Sequence, residues 1–110
     1  MIDLHCHTTA SDGLLAPSAL IRKASREGIT VIAIADHDTV DGLDEAVRAA
    51  QREGIAVIPA VELSVAFPGG DFHLLGYGIH YQNQDLKGRL AQLKSVREER
   101  ALRMVEQLCR

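Results

Sequence analysis

No stretch of this chain approaches the roughly 18 consecutive apolar residues of a membrane span, and the opening MIDLHCHTTASDG lacks the basic and then apolar run of a secretory signal. Neither export nor membrane insertion is expected. Cysteine is scarce: Cys6 and Cys109 lie near opposite ends, with no CxxC pair. That spacing offers no disulfide framework and fits a reducing cytoplasm. Positive charge is thin as well, since the net charge is −3 and the lysines and arginines are scattered. A basic stripe able to hold a long nucleic acid through its phosphates is therefore excluded, whereas a small anionic substrate is not. There is no tryptophan, and aromatic residues make up only 4% of the chain, yet 46% hydrophobic and 25% charged residues describe a soluble globular protein rather than a disordered one. With 110 residues there is material for one modest core, hence one domain or part of one.

Along the chain, IDLHC alternates as a strand does and the following TTASDG is turn chemistry, so a short strand should end near His5 to His7. PSALIRKASRE, from Pro17 to Glu27, sets Leu20, Ile21 and Ala24 on one helical face, with proline at its permitted first turn and Gly28 as a stop. Ala16 stands where a Ser or Thr cap would be expected, which should weaken that helix end. ITVIAIA then reads as a strand buried on both faces, broken off by Asp36, His37 and Asp38. Asp41 is placed to cap a second helix running to about Glu53, where Gly54 stops it. IAVIPAV repeats the strand pattern, with Glu62 directly at its end. Strand, helix, strand, helix, strand is the signature of a parallel α/β fold. LSVAF and DFHLLGYGIH flank a PGG turn and predict an antiparallel or tightly connected pair carrying His73. From about Asp85 to Arg110 the leucines and Ala101, Met104 and Val105 keep a period near 3.6 residues, predicting one long helix. Its lack of a stop signal, with only three βα units before it, points to the N-terminal portion of a larger domain.

His5, His7, Asp12, His37 and Glu62 are all metal ligands by type, and each falls where a predicted strand gives way to a loop. Strand ends on one side of a parallel sheet converge in space, so the pattern points to a metal site. Residues two apart on a strand face the same way about 7 Å apart, letting His5 and His7 grip one ion while Cys6 faces away as a small apolar residue. An imidazole flanked by carboxylates can bind metal through one nitrogen while Asp36 or Asp38 orients the other. Glu62, at the end of a buried strand, must meet a cation, a donor cluster or water. His73 and His80, taken singly, read as structural histidines, and Thr8, Thr9 and Ser11 as loop groups. Mixed imidazole and carboxylate ligands suit Mn²⁺, Zn²⁺ or Fe²⁺.

DLHCHTTASDG, AIADHDT around His37, VELS from Val61 and HLLGY from His73 together resemble the PHP (polymerase and histidinol phosphatase) domains, a family of metal-dependent phosphoesterases. The resemblance runs through essentially the whole chain and is most similar to the bacterial subgroup of nucleoside 3′,5′-bisphosphate phosphatases and exoribonucleases that trim RNA from its 5′ end. It implies the first part of a distorted (β/α)7 barrel with up to three divalent ions, manganese preferred and zinc or iron as alternatives. His5 and His7 would hold the first ion with Glu62 bridging, Asp12 and His37 would serve a second, and Glu62 with His73 a third. It further implies hydrolysis of a phosphate ester, of a nucleotide or an RNA 5′ end, by in-line attack of a metal-bound hydroxide. The family draws further ligands, among them a final Asp-x-His pair, from beyond this stretch.

Two other readings compete. An amidohydrolase-type C–N hydrolase shares HxH on a first barrel strand, but would want a carboxylated lysine or another histidine on the middle strands, where this sequence has Glu62. A non-catalytic fragment or structural domain is the other, because three βα units leave an open sheet edge and apolar helix faces.

Overall fold

The computed structural model describes residues 1–108, apart from the side chains of residues 66, 67 and 71. Its elements follow in the order β1 (Ile2–Cys6), α1 (Pro17–Arg26), β2 (Val31–His37), α2 (Leu43–Glu53), β3 (Ala56–Phe67), β4 (Gly70–Tyr77) and α3 (Gln84–Leu108). The strands form one sheet in the order β1-β2-β3-β4. The first three are parallel and β4 is antiparallel to β3. The α/β class and the long final helix are as the sequence predicts; residues 109 and 110, including Cys109, lie outside the described residues.

Alternation along the strands sorts the two faces. Ile32 and Ile34 of β2 and Val61 of β3 point toward α1 and α2, where they meet Ile21, Ala24, Leu43, Ala46, Ala49 and Ala50 in the core. Ala33, Ala35 and Ala60 are buried on the opposite face, which also carries His37 and Glu62. The sheet is curled toward that face. Three inter-strand spacings would hold β1 and β4 about 14 Å apart in a flat sheet, yet the Tyr77 hydroxyl of β4 donates to the carbonyl of Leu4 in β1 at 2.8 Å.

Three local expectations are corrected. Glu62 is not at a strand end: β3 runs on five residues past it. Pairing with β2 stops at His37↔Glu62, but pairing with β4 continues from Ala60 to Phe67, so the polar residue ends one ladder and not the strand. LSVAF is accordingly the outer half of β3 rather than a separate strand. Asp41 does not cap α2, which starts after Gly42 with no side-chain cap; the Asp41 N–H instead donates to Thr39 Oγ1. The missing cap at Ala16 is made good from outside, because Glu45 of α2 accepts the Ser18 N–H at 2.9 Å. A cap the sequence did not single out begins α3, where Asn83 Oδ1 accepts the Leu86 N–H at 3.0 Å.

Helix α3 buries Leu90 and leaves Leu102, Met104, Val105 and Leu108 exposed. Two i,i+4 pairs, Asp85 with Arg89 and Glu99 with Arg103, line its surface. Among the described residues, no helix is long and apolar enough to cross a membrane.

Candidate metal centre

The curled face gathers six side chains that the sequence scatters over nearly seventy residues. Glu62, 3% exposed, stands in the middle. Its Oε1 faces His5 Nε2 in a close contact and His7 Nε2 at 3.6 Å; its Oε2 faces His73 Nδ1 at 2.7 Å and His37 Nδ1 at 3.1 Å. Asp12, on the loop after β1, straddles the next gap, with His7 Nδ1 3.0 Å from Oδ1 and His37 Nε2 3.3 Å from Oδ2. The four imidazoles form a row, their successive ring centres 5.0, 4.7 and 5.2 Å apart. Donor atoms fall into three overlapping groups, each within 4.8 Å: His5, His7 and Glu62; His7, Asp12 and His37; His37, Glu62 and His73.

Local structure explains the convergence. A bulge between Asp3 and Cys6 puts one extra residue of β1 against β2, re-aiming the end of the strand, and His5 and His7 then meet at 3.1 Å between their Nε2 atoms. Cys6 faces away toward the core, its thiol pushed up to about 12 by burial and by the neighbouring Asp3. His73 reaches Glu62 from the antiparallel strand, opposite Ser64. His80 is exposed and outside the groups, its carbonyl accepting the Asn83 N–H in a turn.

Both carboxylates of the cluster are held toward their ionised form. Burial would raise the Glu62 carboxyl pKa, but the hydrogen bond from His5 and the charges of His37, His5 and His7 outweigh it and hold the group below its ordinary value. Asp12 is lowered in the same way: the opposing effect of burial is outweighed by His37 and then His7. Even so, the buried Nδ1 atoms of His7 and His37 lack a hydrogen bond of acceptable geometry, although carboxylate oxygens stand 3.0 and 3.1 Å away. Lone-pair donors crowded together without satisfying one another are what a metal ion could complete.

Residues 3–106 match the PHP domain family. The chain belongs to that family. It is 41% identical over 106 residues to a 5'-3' exoribonuclease of Haemophilus influenzae, covering 96% of this chain and 39% of that protein. It is 39% identical to the 3',5'-nucleoside bisphosphate phosphatase of Chromobacterium violaceum, covering 94% of this chain and 36% of that one. Among solved structures, an amidohydrolase from Chromobacterium violaceum with bound sulfate and no metal superposes with a TM-score of 0.85 at 39% identity, over 94% of this chain and 36% of that one. The chain thus spans less than two fifths of the length of these relatives.

In this PHP chain the aspartates beside His37 have partners other than its ring, contrary to the orienting role expected of them. Asp36, on the helix side of β2, accepts from Thr8 and Ser11. Asp38, at a positive φ of 53°, accepts the Ser64 N–H at 3.1 Å and pairs with Arg97 Nη1 at 2.7 Å. The physical reason is alternation and turning: Asp36 points to the opposite face from His37, and the left-handed backbone at Asp38 swings it toward β3 and α3. Arg97 carried no recognisable sequence signal, since it lies in a charged block with the pattern of a solvent-facing helix. With Asp38, Ser64, Val65, His73 and Arg100 it borders a groove of about 370 Å³ beside the imidazole row.

Proposed function

We propose that this PHP chain carries the metal-binding part of a phosphoesterase that hydrolyses phosphate esters of a nucleotide, such as a nucleoside 3′,5′-bisphosphate, or of an RNA 5′ end. The observation that carries the reading is Glu62, whose two oxygens each face a different pair of imidazoles. His5, His7, Asp12, His37, Glu62 and His73 are the proposed ligands, for up to three divalent ions, manganese preferred and zinc or iron as alternatives. Such ions lower the pKa of bound water toward neutrality and clamp phosphoryl oxygens as charge develops. Glu62 and Asp12, both held toward the ionised form, supply negative charge to the site, while the imidazole row supplies nitrogen donors from β1, β2 and β4 and the residue that follows β1.

The residues around the centre fit an anionic substrate. Arg97 and Arg100 border the groove beside His73, and guanidinium groups suit phosphate oxygens. The sulfate in the Chromobacterium violaceum structure and the nucleotide and RNA substrates in the relatives' names support the same class of ligand. A cytoplasmic setting and the role of residues 1–110 as the N-terminal portion of a single PHP domain complete the proposal.

The test is metal content and phosphate release by the polypeptide that carries this sequence, assayed on a nucleoside 3′,5′-bisphosphate and a 5′-phosphorylated oligoribonucleotide with Mn²⁺ and with chelator. Release that needs the metal and disappears in His37→Ala is expected; an active His37→Ala variant, or full activity in chelator, would overturn the reading. A second reading, a non-catalytic role, draws on the exposed apolar residues of α3, and bound metal without phosphate release from either substrate would favour it.

A further inference from the structure

Behind the metal centre, on the helix side of β2, Asp36 is 2% exposed, and among the described residues its carboxylate accepts hydrogen bonds from one short loop. Oδ1 accepts the Thr8 N–H at 2.6 Å and the Ser11 hydroxyl at 2.7 Å; Oδ2 accepts the Thr8 hydroxyl at 2.7 Å. Thr8 is fully buried, and its hydroxyl oxygen in turn accepts the Ala10 N–H at 3.1 Å, while its carbonyl accepts the N–H groups of Ser11 and Gly13. The loop is thus folded around the threonine, and the threonine is fastened to Asp36.

This arrangement bears on one of the three donor groups in particular. His7 directly precedes Thr8, Asp12 directly follows Ser11, and His37 shares a peptide bond with Asp36. These are the three members of the middle group. Glu62 and His73 are held by the pairing of β3 with β4, and His37 by its register with Glu62. Asp12 comes from a loop and has no ladder to hold it. We propose that Asp36 is the positioning residue of the middle subsite: by pinning residues 8–11 from behind the sheet, it fixes Asp12 against His7 and His37.

The inference rests on the metal reading above only for its consequence in affinity, so two measurements test it. In the metal-free protein, amide hydrogen exchange of Asp36→Ala should show protection lost across residues 8–13 while β2 and β3 stay protected. Asp36→Asn should restore that protection, because its Oδ1 still accepts from Thr8 and Ser11 and its amide can donate to a Thr8 hydroxyl whose hydrogen has turned away. Unchanged protection in Asp36→Ala, or an equal loss throughout the sheet, overturns the proposal. In calorimetric titration with Mn²⁺, Asp36→Ala should weaken one class of site about 10- to 100-fold, the usual cost of losing an outer-shell support, and leave the others within about twofold. Uniform weakening, no weakening, or an Asp36→Asn variant as weak as the alanine overturns it too. If Asp36→Ala does not fold, Ser11→Ala removes one of the three bonds and should give the same local pattern in smaller measure. Wild-type protein that binds no Mn²⁺ would overturn the metal reading instead, and the exchange pattern would still decide whether Asp36 positions the loop.

Discussion

Gly13 lies where the loop after β1 crosses back over its own start. A Cβ built there would stand 2.4 Å from the carbonyl oxygen of His7, 2.6 Å from its carbon and 2.7 Å from the Thr8 nitrogen. All three are backbone atoms, so no side chain can swing aside in Gly13→Ala. Restoring ordinary contact, which begins near 3.4 Å, needs about 1 Å of separation between two strands of chain held at 2.8 Å by the Gly13 to Thr8 hydrogen bond. Overpacking of this kind costs about 1–3 kcal/mol. In a domain of this size each kcal/mol lowers the melting temperature by roughly 4–8 °C. The same displacement reaches His7, and metal–ligand distances tolerate only about 0.2 Å, so affinity should fall along with stability. Thermal unfolding in chelator, followed by Mn²⁺ titration of the folded variant, measures both. A melting temperature within about 1 °C of wild type and unchanged Mn²⁺ affinity would refute the reasoning, because the loop would then not be packed against His7.

Arg97→Ala should destabilise the protein by about 1–3 kcal/mol in denaturant unfolding, since it strips the Asp38 carboxylate of its cation; the pair is discounted from the fully buried range because Arg97 is 43% exposed. Arg103→Ala breaks an exposed i,i+4 pair and should cost no more than about 0.5 kcal/mol, so equal effects would remove the buried-partner argument. For pH, folding lowers the carboxyl pKa values of Glu62 and Asp12 from ordinary values of 4.5 and 3.8, so the native chain binds fewer protons than the unfolded one. Their contribution to metal-free stability is present above those values and is lost as the pH falls through and below them. Urea unfolding at pH 5, 4 and 3 should show the decline, and Glu62→Gln should flatten it; a wild-type curve as flat as the variant's would count against the depressed carboxyls.

Much of the fold could be read from the sequence because its signals are local. ITVIAIA and IAVIPAV are β-branched apolar runs typical of strands in a parallel sheet, and the glycines after Glu27 and Glu53 sit at positive φ where the helices end. What the sequence hid depends on partners far along the chain. Glu62 looks like a strand end because the eye stops at the first charge, whereas β3 continues on hydrogen bonds supplied by β4. Ala16 looks like a weak cap until Glu45 is brought to it. For the centre, residue types and spacing singled out His5, His7, Asp12, His37 and Glu62, while His73 entered through a family motif, because a single histidine on an alternating strand carries no mark of what it faces. Asp36 and Asp38 illustrate the remaining gap: adjacency to His37 suggested contact with it, and side-chain alternation sent them elsewhere.

The β3–β4 hairpin extends beyond the point where β2 ends, with Phe67 opposite Gly70 at its tip. Glu62 is fixed from below by its register with His37, and His73 lies only two positions farther along the hairpin. Everything from Pro68 outward can therefore lengthen or shorten without altering the spacing of the donors beneath it. The length of the hairpin and the spacing of Glu62 and His73 are separate variables in this architecture, so its tip can change without moving either side chain.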